Sequence, residues 1–235
     1  QAIACKPDYA EAHYNLGNTL QELGRLDDAA VSYAQAIACK PDYAEAHYNL
    51  GNTLQELGRL DDAAVSYAQA IACKPDYDDA HYNLGNTLQE LGRLEDAEAR
   101  YAQAIALKPK FAEAHYNLSN TLQKLGRLDD AEASYRQAIA CKPDYAEAHY
   151  NLGNTLQELG RLDDAEASYR QAIACNPDYV EAYSNLGVTL QELGRLDDAE
   201  VSFRQAIALK HDYSEAHLNL CELLEKMNRA DELLS

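Results

Sequence analysis

Asparagine recurs at fixed spacings along the chain, and its side-chain amide suits peptide binding. The amide carries a donor and an acceptor, so it can bond the N–H and the C=O of one peptide unit. Asn is a weak helix former, which makes its repeated use inside a helical pattern costly. One series is complete and comprises Asn15, Asn49, Asn83, Asn117, Asn151, Asn185 and Asn219. A second series comprises Asn18, Asn52, Asn86, Asn120 and Asn154, and then changes to Val188 and Glu222.

These series arise because the chain is built from one repeated segment. The thirty-four residues from Ala10 to Tyr43 recur letter for letter from Ala44 to Tyr77. Four further copies, 78–111, 112–145, 146–179 and 180–213, carry light drift, while 1–9 ends a preceding copy and 214–235 begins a partial one. Such a period is typical of stacked-repeat solenoids. We predict a single array over residues 1–235.

Each copy contains the pattern of two helices. In the first helix Ala12, Leu16, Leu20 and Leu23 fall on one apolar face, and Gly24 provides the left-handed residue that ends it. Pairs with D-x-x-E spacing precede most of the first helices and predict capping boxes: Asp8/Glu11, Asp42/Glu45, Asp144/Glu147, Asp178/Glu181 and Asp212/Glu215. Gly17 lies inside the first helix, where a small residue indicates the close approach of a neighbour.

The second helix of each copy begins at an acidic pair and ends before proline. Asp27 and Asp28 favour the positive end of the helix dipole, and Pro41 stops the helix. Tyr33 and Ala36 are among the residues predicted to face inward. Arg136, Arg170 and Arg204 are predicted to be solvated charges on the outer face of this helix.

The spacing of Leu16-Gly17, Leu20, Ala29, Tyr33, Ala36 and Pro41 resembles the signature of the tetratricopeptide repeat. His13 departs from it, because the family usually has Trp or another large apolar residue there. The resemblance implies an all-α, right-handed superhelical solenoid of antiparallel helix pairs, with first helices lining a concave groove. In that arrangement both Asn series would face the groove, and we predict that they bind an extended peptide or protein segment.

Two groove chemistries of this family differ in what they require. Carboxylate clamps use Lys and Arg with Asn, but this chain has Glu11 and Tyr14 where bases would be needed. An uninterrupted Asn ladder, with Asn15-Leu16-Gly17-Asn18, is instead similar to the repeat domains of O-linked N-acetylglucosamine transferases and their bacterial relatives. That resemblance implies a substrate-recognition segment of a larger glycosyltransferase. The identical copies leave open a structural or engineered array in which duplication preserved asparagines that have no ligand.

Composition limits the partners of the chain. The formal net charge of −19 disfavours nucleic acid and anionic membranes, and favours a neutral or basic ligand. Cys5, Cys39, Cys73, Cys141 and Cys175 share a position with Leu107 and Leu209, which predicts buried, reduced thiols and a cytoplasmic location. The incomplete copies at both ends predict apolar surfaces prone to end-to-end self-stacking.

No constellation predicts catalysis, a cofactor or a metal centre. His13 lies eight residues after Cys5, so a shared metal site is conceivable, but no CxxC or HxxxH pair is present. Tyr183 occupies the histidine position in one copy, which favours a histidine hydrogen-bonded to a neighbour. The acidic pairs recur in every full copy, as helix-start residues would and a single active site would not. We therefore predict a non-enzymatic binding scaffold.

Overall fold

The computed structural model describes residues 9–227, and within them the chain forms thirteen helices and no strand. The expected self-stacking surfaces draw on residues 1–8 and 228–235 and lie outside the described residues. In chain order the helices are α1 Ala10–Glu22, α2 Leu26–Cys39, α3 Ala44–Glu56, α4 Leu60–Cys73, α5 Asp78–Glu90, α6 Leu94–Leu107, α7 Ala112–Lys124, α8 Leu128–Cys141, α9 Ala146–Glu158, α10 Leu162–Cys175, α11 Val180–Glu192, α12 Leu196–Leu209 and α13 Ser214–Lys226.

The helices stack as pairs, which confirms the all-α repeat fold. Within each unit, the two helices of a copy pack against one another, and the second helix also packs on the first helix of the next copy. By its contacts the chain divides into two compact units, 1–121 and 122–235, which we describe separately. That residues 1–235 form one array stays a prediction.

Glycine defines both the turn and the packing of each pair. Gly24 has φ 71°, a left-handed conformation that suits glycine, and its N–H donates to the carbonyl of Gln21 at 2.9 Å. Gly17 is required for packing, because a Cβ built there would lie 2.6 Å from Cε1 of Tyr33. The close neighbour predicted from the sequence is therefore an aromatic ring, and the Gly17 position is small so that this ring can enter the pair.

The capping boxes predicted from the D-x-x-E pairs are wrong. Tyr43 is the N-cap of α3 and makes no side-chain capping bond; the other described helix starts of this type, at Tyr9, Tyr77, Tyr145, Tyr179 and Tyr213, likewise have none. The N–H of Tyr43 donates to the carbonyl of Lys40 at 3.1 Å, and this turn brings the tyrosine to the cap position. Asp42 consequently lies one residue too early to be the N-cap.

The core consists of small residues and one large ring in each pair. Ala29, Tyr33 and Ala36 are fully buried, and so are their equivalents in the later copies. The predicted leucine face is confirmed only in part. Leu84 is 5% exposed, whereas Leu16 and Leu23, on and just after the outermost helix described in the first unit, are 39% and 67% exposed.

The cysteine position is not buried, contrary to the sequence prediction. Cys39 is exposed, Cys73, Cys141 and Cys175 are half-buried, and Leu107 at the same repeat position is 42% exposed. Cys39 is the final residue of α2, at the rim of the helix pair, which explains its exposure. The described cysteines form no disulfide with one another. None of the helices within residues 9–227 is long and apolar enough to cross a membrane.

The second-helix arginines are not simply solvated charges. Arg136 pairs with Glu132 at 2.9 Å, Arg170 with Glu166 at 2.5 Å and Arg204 with Glu200 at 3.0 Å. The side chain of Glu166 is only 8% exposed, because two arginines and the neighbouring helix cover it. Glu132 and Glu166 each accept a second arginine from the next copy. Arg136 and Arg170 thus belong to groups of ion pairs that link consecutive copies, while Arg204 pairs with Glu200 within its own helix.

Candidate functional site

Asparagines of consecutive first helices bond directly to each other. Nδ2 of Asn49 on α3 donates to Oδ1 of Asn18 on α1 at 3.0 Å and to the hydroxyl of Tyr14 at 3.1 Å. The pattern recurs with Asn83 bonded to Asn52 and Tyr48, Asn117 to Asn86 and Tyr82, and Asn185 to Asn154 and Tyr150. The two asparagine series are therefore coupled between copies.

A buried tyrosine of the second helix joins the same group. The hydroxyl of Tyr33 lies 2.8 Å from Oδ1 of Asn18 and 3.0 Å from Oε1 of Gln21, and donates its proton to either. Tyr67, Tyr101 and Tyr169 have the same two partners in their own pairs. We call Tyr14, Asn18, Gln21, Tyr33 and Asn49, with their equivalents, the amide network. It links the core of each pair to its polar surface.

The amide network fixes which end of each side chain faces outward. Oδ1 of Asn18 accepts from both Tyr33 and Asn49, which leaves its Nδ2 donor outside these bonds. Asn49 uses Nδ2 for both of its bonds, which leaves its Oδ1 acceptor. Both residues are partly exposed. Burial raises the pKa of Tyr48, and a hydrogen bond from the amide of Asn52 to this hydroxyl opposes that shift, so Nδ2 of Asn52 keeps one of its two N–H groups. Each complete junction thus presents one N–H and one carbonyl acceptor.

Burial raises the pKa values of the second-helix tyrosines of the amide network. It is the largest cause that raises the pKa of Tyr33 to about 12, and the neighbouring Tyr14 adds to it. Burial likewise raises the pKa values of Tyr67, Tyr101 and Tyr169 above the ordinary value. At neutral pH these hydroxyls therefore remain hydrogen-bond donors.

An acidic cleft lies beside the amide network in the first unit. It has a volume of about 430 Å³ and is lined by Gln21, Asn52, Gln55, Glu56, Tyr67 and Glu90. Nε2 of Gln21 donates to Glu56 at 2.9 Å, and Nε2 of Gln55 donates to Glu90 at 3.2 Å. The glutamates are held on the first helices, and their charge makes the cleft suitable for a cationic or neutral side chain.

The amide network ends in the last full copy. Ser184, Val188 and Phe203 stand where earlier copies have tyrosine, asparagine and tyrosine, so Asn219 makes no side-chain hydrogen bond with the described residues. Oγ of Ser184 is buried without a hydrogen-bond partner in the described part of the chain. At the other end Asn15 is exposed on α1, and Asn120 and Asn151 are half-buried.

The sequence identified the asparagines but missed the tyrosines and glutamine that orient them. A signal was present, because the equivalents of Tyr14, Asn18 and Tyr33 all change in the same copy. The constancy of the Asn15 series also has a structural cause, since four of its members, Asn49, Asn83, Asn117 and Asn185, bond to the preceding copy. The constancy of the Asn15 series is therefore weaker support for ligand binding than the sequence alone suggested.

The histidines serve the loops between copies. Nε2 of His47 lies 3.0 Å from the carbonyl of Pro41, which fits the tautomer that donates from Nε2, and His81, His115 and His149 repeat this contact. Among residues 9–227 no group of three His, Cys, Asp or Glu side chains is placed to hold a metal ion.

Comparison with solved structures finds the same fold in several proteins. The crystal structure of MamA matches with a TM-score of 0.68 and 25% identity, over 71% of this chain and 97% of that one. YrrB, described as a TPR protein with an unusual peptide-binding site, matches with a TM-score of 0.70 and 23% identity, over 80% of this chain and 96% of that one. The pilF protein of Pseudomonas aeruginosa matches with a TM-score of 0.73 and 19% identity, over 91% of this chain and 97% of that one. No curated protein matches the sequence.

A protein-family model adds direct sequence support. The model described as Cilia and flagella-associated protein 70 C-terminal domain matches residues 4–230, nearly the whole chain. The comparisons support a protein–protein interaction scaffold, while the specific likeness to glycosyltransferase repeats stays a prediction. The stacked pairs, the signature residues and this match together establish that the chain is a tetratricopeptide-repeat protein and belongs to the family of the cilia and flagella-associated protein 70 C-terminal domain.

Proposed function

We propose that the chain binds an extended peptide or protein segment by its backbone along the amide network. The observation that carries this proposal is the fixed orientation of the amides at each complete junction. Asn52 offers its Nδ2 to a peptide carbonyl, and Asn83 offers its Oδ1 to a peptide N–H. Orienting these groups before binding lowers the entropy cost of the complex.

The acidic cleft gives this backbone recognition a side-chain preference. Glu56 and Glu90 line the same cleft of about 430 Å³ as Asn52. A lysine or arginine of the bound segment would enter there and meet both carboxylates. The net charge of −19 acts in the same direction by attracting basic segments over a longer range.

The proposal makes the chain a non-enzymatic scaffold. Support comes from the family match and from the neighbour YrrB, which is described as having a peptide-binding site. A cytoplasmic location and a role in presenting substrates to a larger glycosyltransferase remain predictions of the sequence.

The decisive test changes the outward atom and leaves the amide network in place. In the double variant N52D/N86D the Oδ1 acceptors remain, but each outward donor becomes an acceptor that repels a peptide carbonyl. A neutral peptide selected from an array should bind about tenfold more weakly to this variant in about 1 M salt, where charge effects are screened. Fluorescence anisotropy measures the affinity, and thermal unfolding checks that stability is kept.

A ligand-side control uses the same peptide with N-methylated backbone nitrogens. Removing the N–H donors should weaken binding to the wild-type chain, because the outward Oδ1 of Asn83 would lose its partner. Unchanged binding of either the N-methyl peptide or the N52D/N86D variant contradicts the proposal, as does the absence of any binding peptide.

A second candidate is a purely structural array. The bonds between copies favour it, since they give the asparagines a role without a ligand. The double variant N83A/N117A separates the two candidates. It removes network donors and outward acceptors together, so a structural array predicts lower stability with no binding to lose, whereas the proposed function predicts that both fall.

A further inference from the structure

Every described second helix is preceded by an arginine that holds an aspartate in its own first turn. In the first unit, Nε and Nη2 of Arg59 bond to Oδ2 of Asp62 at 2.9 and 2.6 Å. In the second unit, Nε and Nη2 of Arg161 bond to Oδ2 of Asp164 at the same two distances. The two arginines are therefore placed alike with respect to their own helices.

Arg161 makes one further contact that Arg59 does not make. Its Nη1 donates to Oε2 of Glu132 on the preceding second helix at 2.7 Å, and Glu132 also pairs with Arg136. Arg195 donates to Glu166 in the same way at 2.6 Å. A carboxylate thus bridges consecutive second helices in the second unit.

The first two full copies of the first unit have alanine where these carboxylates stand, whereas the third copy has Glu98 there. Ala30 and Ala64 occupy the positions of Glu132 and Glu166, and Ala34 and Ala68 occupy those of Arg136 and Arg170. As a result, Nη1 of Arg59 and Nη1 of Arg93 bond to no group in the described residues of their unit. Each keeps a charged donor for which the second unit supplies an acidic partner.

Two neighbouring clefts lie beside these alanines, and each combines apolar residues with charged ones: Asp27, Arg59 and Asp62 in the first, and Asp61, Arg93, Asp96 and Arg100 in the second. The first has a volume of about 490 Å³ and includes Ala30, Val31, Leu50, Leu54 and Val65, with Arg59 at its edge. The second, about 340 Å³, shares Val65 and includes Leu84 and Leu88, with Arg93 and Arg100 at its edge. Val31 and Val65 are 58% and 62% exposed, so a hydrophobic surface is open beside unpaired arginine donors.

In the second unit, side chains occupy part of the region that corresponds to these two clefts. Between α8 and α10 a cleft of about 360 Å³ remains, but it begins at Arg136 and extends along Ile139 and Ala140. The part nearer the helix start is occupied by Glu132 and its two arginines. A carboxylate is tolerated there although Asp164 is adjacent, because Arg161 binds both.

We propose that the two clefts of the first unit dock a segment of a partner protein in which acidic residues alternate with aliphatic ones. Its carboxylates would bind Nη1 of Arg59 and Arg93, as Glu132 and Glu166 do within the chain. Its aliphatic side chains would cover Val31, Val65 and the leucines behind them. The chain's own ion pairs argue for this occupant, because Glu132 and Glu166 bind Arg161 and Arg195 in the second unit even though each arginine also binds an aspartate. The surface is separate from the amide network.

The test places the missing carboxylates back on the chain. The double variant A30E/A64E carries the residues found at 132 and 166, so the fold already accommodates them. Its glutamates should satisfy both arginines and repel an acidic segment. The matched control A38E/A72E adds the same charge to exposed positions of α2 and α4 outside the clefts. The probe is a fluorescein-labelled peptide with leucine and glutamate on one face, compared with a version carrying glutamine for glutamate.

We expect A30E/A64E to weaken binding of the acidic probe at least about tenfold and A38E/A72E to change it about twofold at most. The glutamine probe should bind about threefold more weakly to the wild-type chain, the scale of a partly exposed ion pair. The double variant V31A/V65A introduces the residues found at 133 and 167, and it should also weaken binding of the acidic probe. Failure of the probe to bind, or equal loss in A30E/A64E and its control, would overturn the proposal. A dimer of the wild-type chain that A30E/A64E abolishes would also overturn it, because a second copy would then be the occupant.

Discussion

Two successive junctions of the second unit share a backbone and a core but differ in their polar contacts. Between α9 and α11, Asn185 bonds to Asn154 and Tyr150, and Tyr169 bonds to Asn154. Between α11 and α13, Asn219 keeps the equivalent position but faces Ser184 and Val188, and the buried ring is Phe203. The amide network is therefore present at one junction and absent from the next.

The difference separates the buried ring, which helix packing requires, from the polar groups of the amide network, which it does not require. Tyr169 and Phe203 are both fully buried, and a Cβ added to the facing glycine would lie 2.6 Å from Tyr169 at Gly153 and 2.5 Å from Phe203 at Gly187. The ring alone thus sets the spacing of the pair. The hydroxyl and the amides form a second layer whose loss leaves helix packing intact.

The largest expected effect is on stability, when the removal of Asn185 is compared with the removal of Asn219 at the next junction. N185A takes donors from Tyr150 and Asn154 and should lower the free energy of unfolding by about 1–3 kcal/mol. N219A removes an amide that makes no such bond with the described residues and should change it by about 0.5 kcal/mol at most. Urea denaturation, with hydrogen exchange of α11 and α13 as a local measure, gives both values. Equal effects of the two variants would show that the network bonds add no stability.

A smaller effect should follow from restoring the hydroxyl at the junction that lacks it. F203Y adds a buried hydroxyl beside Val188, with only Gln191 in the position of its usual acceptors, and should cost about 1 kcal/mol. V188N/F203Y returns the asparagine acceptor and should recover that loss. The double-mutant cycle should give a favourable coupling of about 0.5–1.5 kcal/mol. Strict additivity would mean that the hydroxyl and the amide do not act together.

The smallest effect concerns alkaline pH. Burial raises the pKa of Tyr33 to about 12 and raises that of Tyr169 above its ordinary value, so the folded chain keeps protons that the unfolded chain releases near pH 10. This stabilisation is complete below about pH 10 and is lost as the pH rises towards about 12. Y169F should lose less stability than the wild-type chain between about pH 9 and 11 in urea denaturation. Parallel losses would contradict this assignment.

Sequence reasoning identified the repeat, the helix pairs and the asparagines correctly because these depend on local spacing. It failed where a neighbouring element decides the outcome. Asp42 has the spacing of a cap, but the turn at Lys40 makes Tyr43 the N-cap. The position of Cys39 is tolerant of leucine yet lies at an exposed helix end.

The sequence by itself determined the period and the left-handed glycine at Gly24, because these follow from spacing and backbone geometry within one copy, and it indicated a close neighbour at Gly17. Only the tertiary structure decided which atoms of Asn18 and Asn49 face outward, since bonds to Tyr33 and Tyr14 in neighbouring elements fix those amides. It also decided that Arg59 keeps a free donor where Arg161 does not, because their partners come from a different copy. Contacts between copies are set by packing distance, which spacing within one copy does not encode.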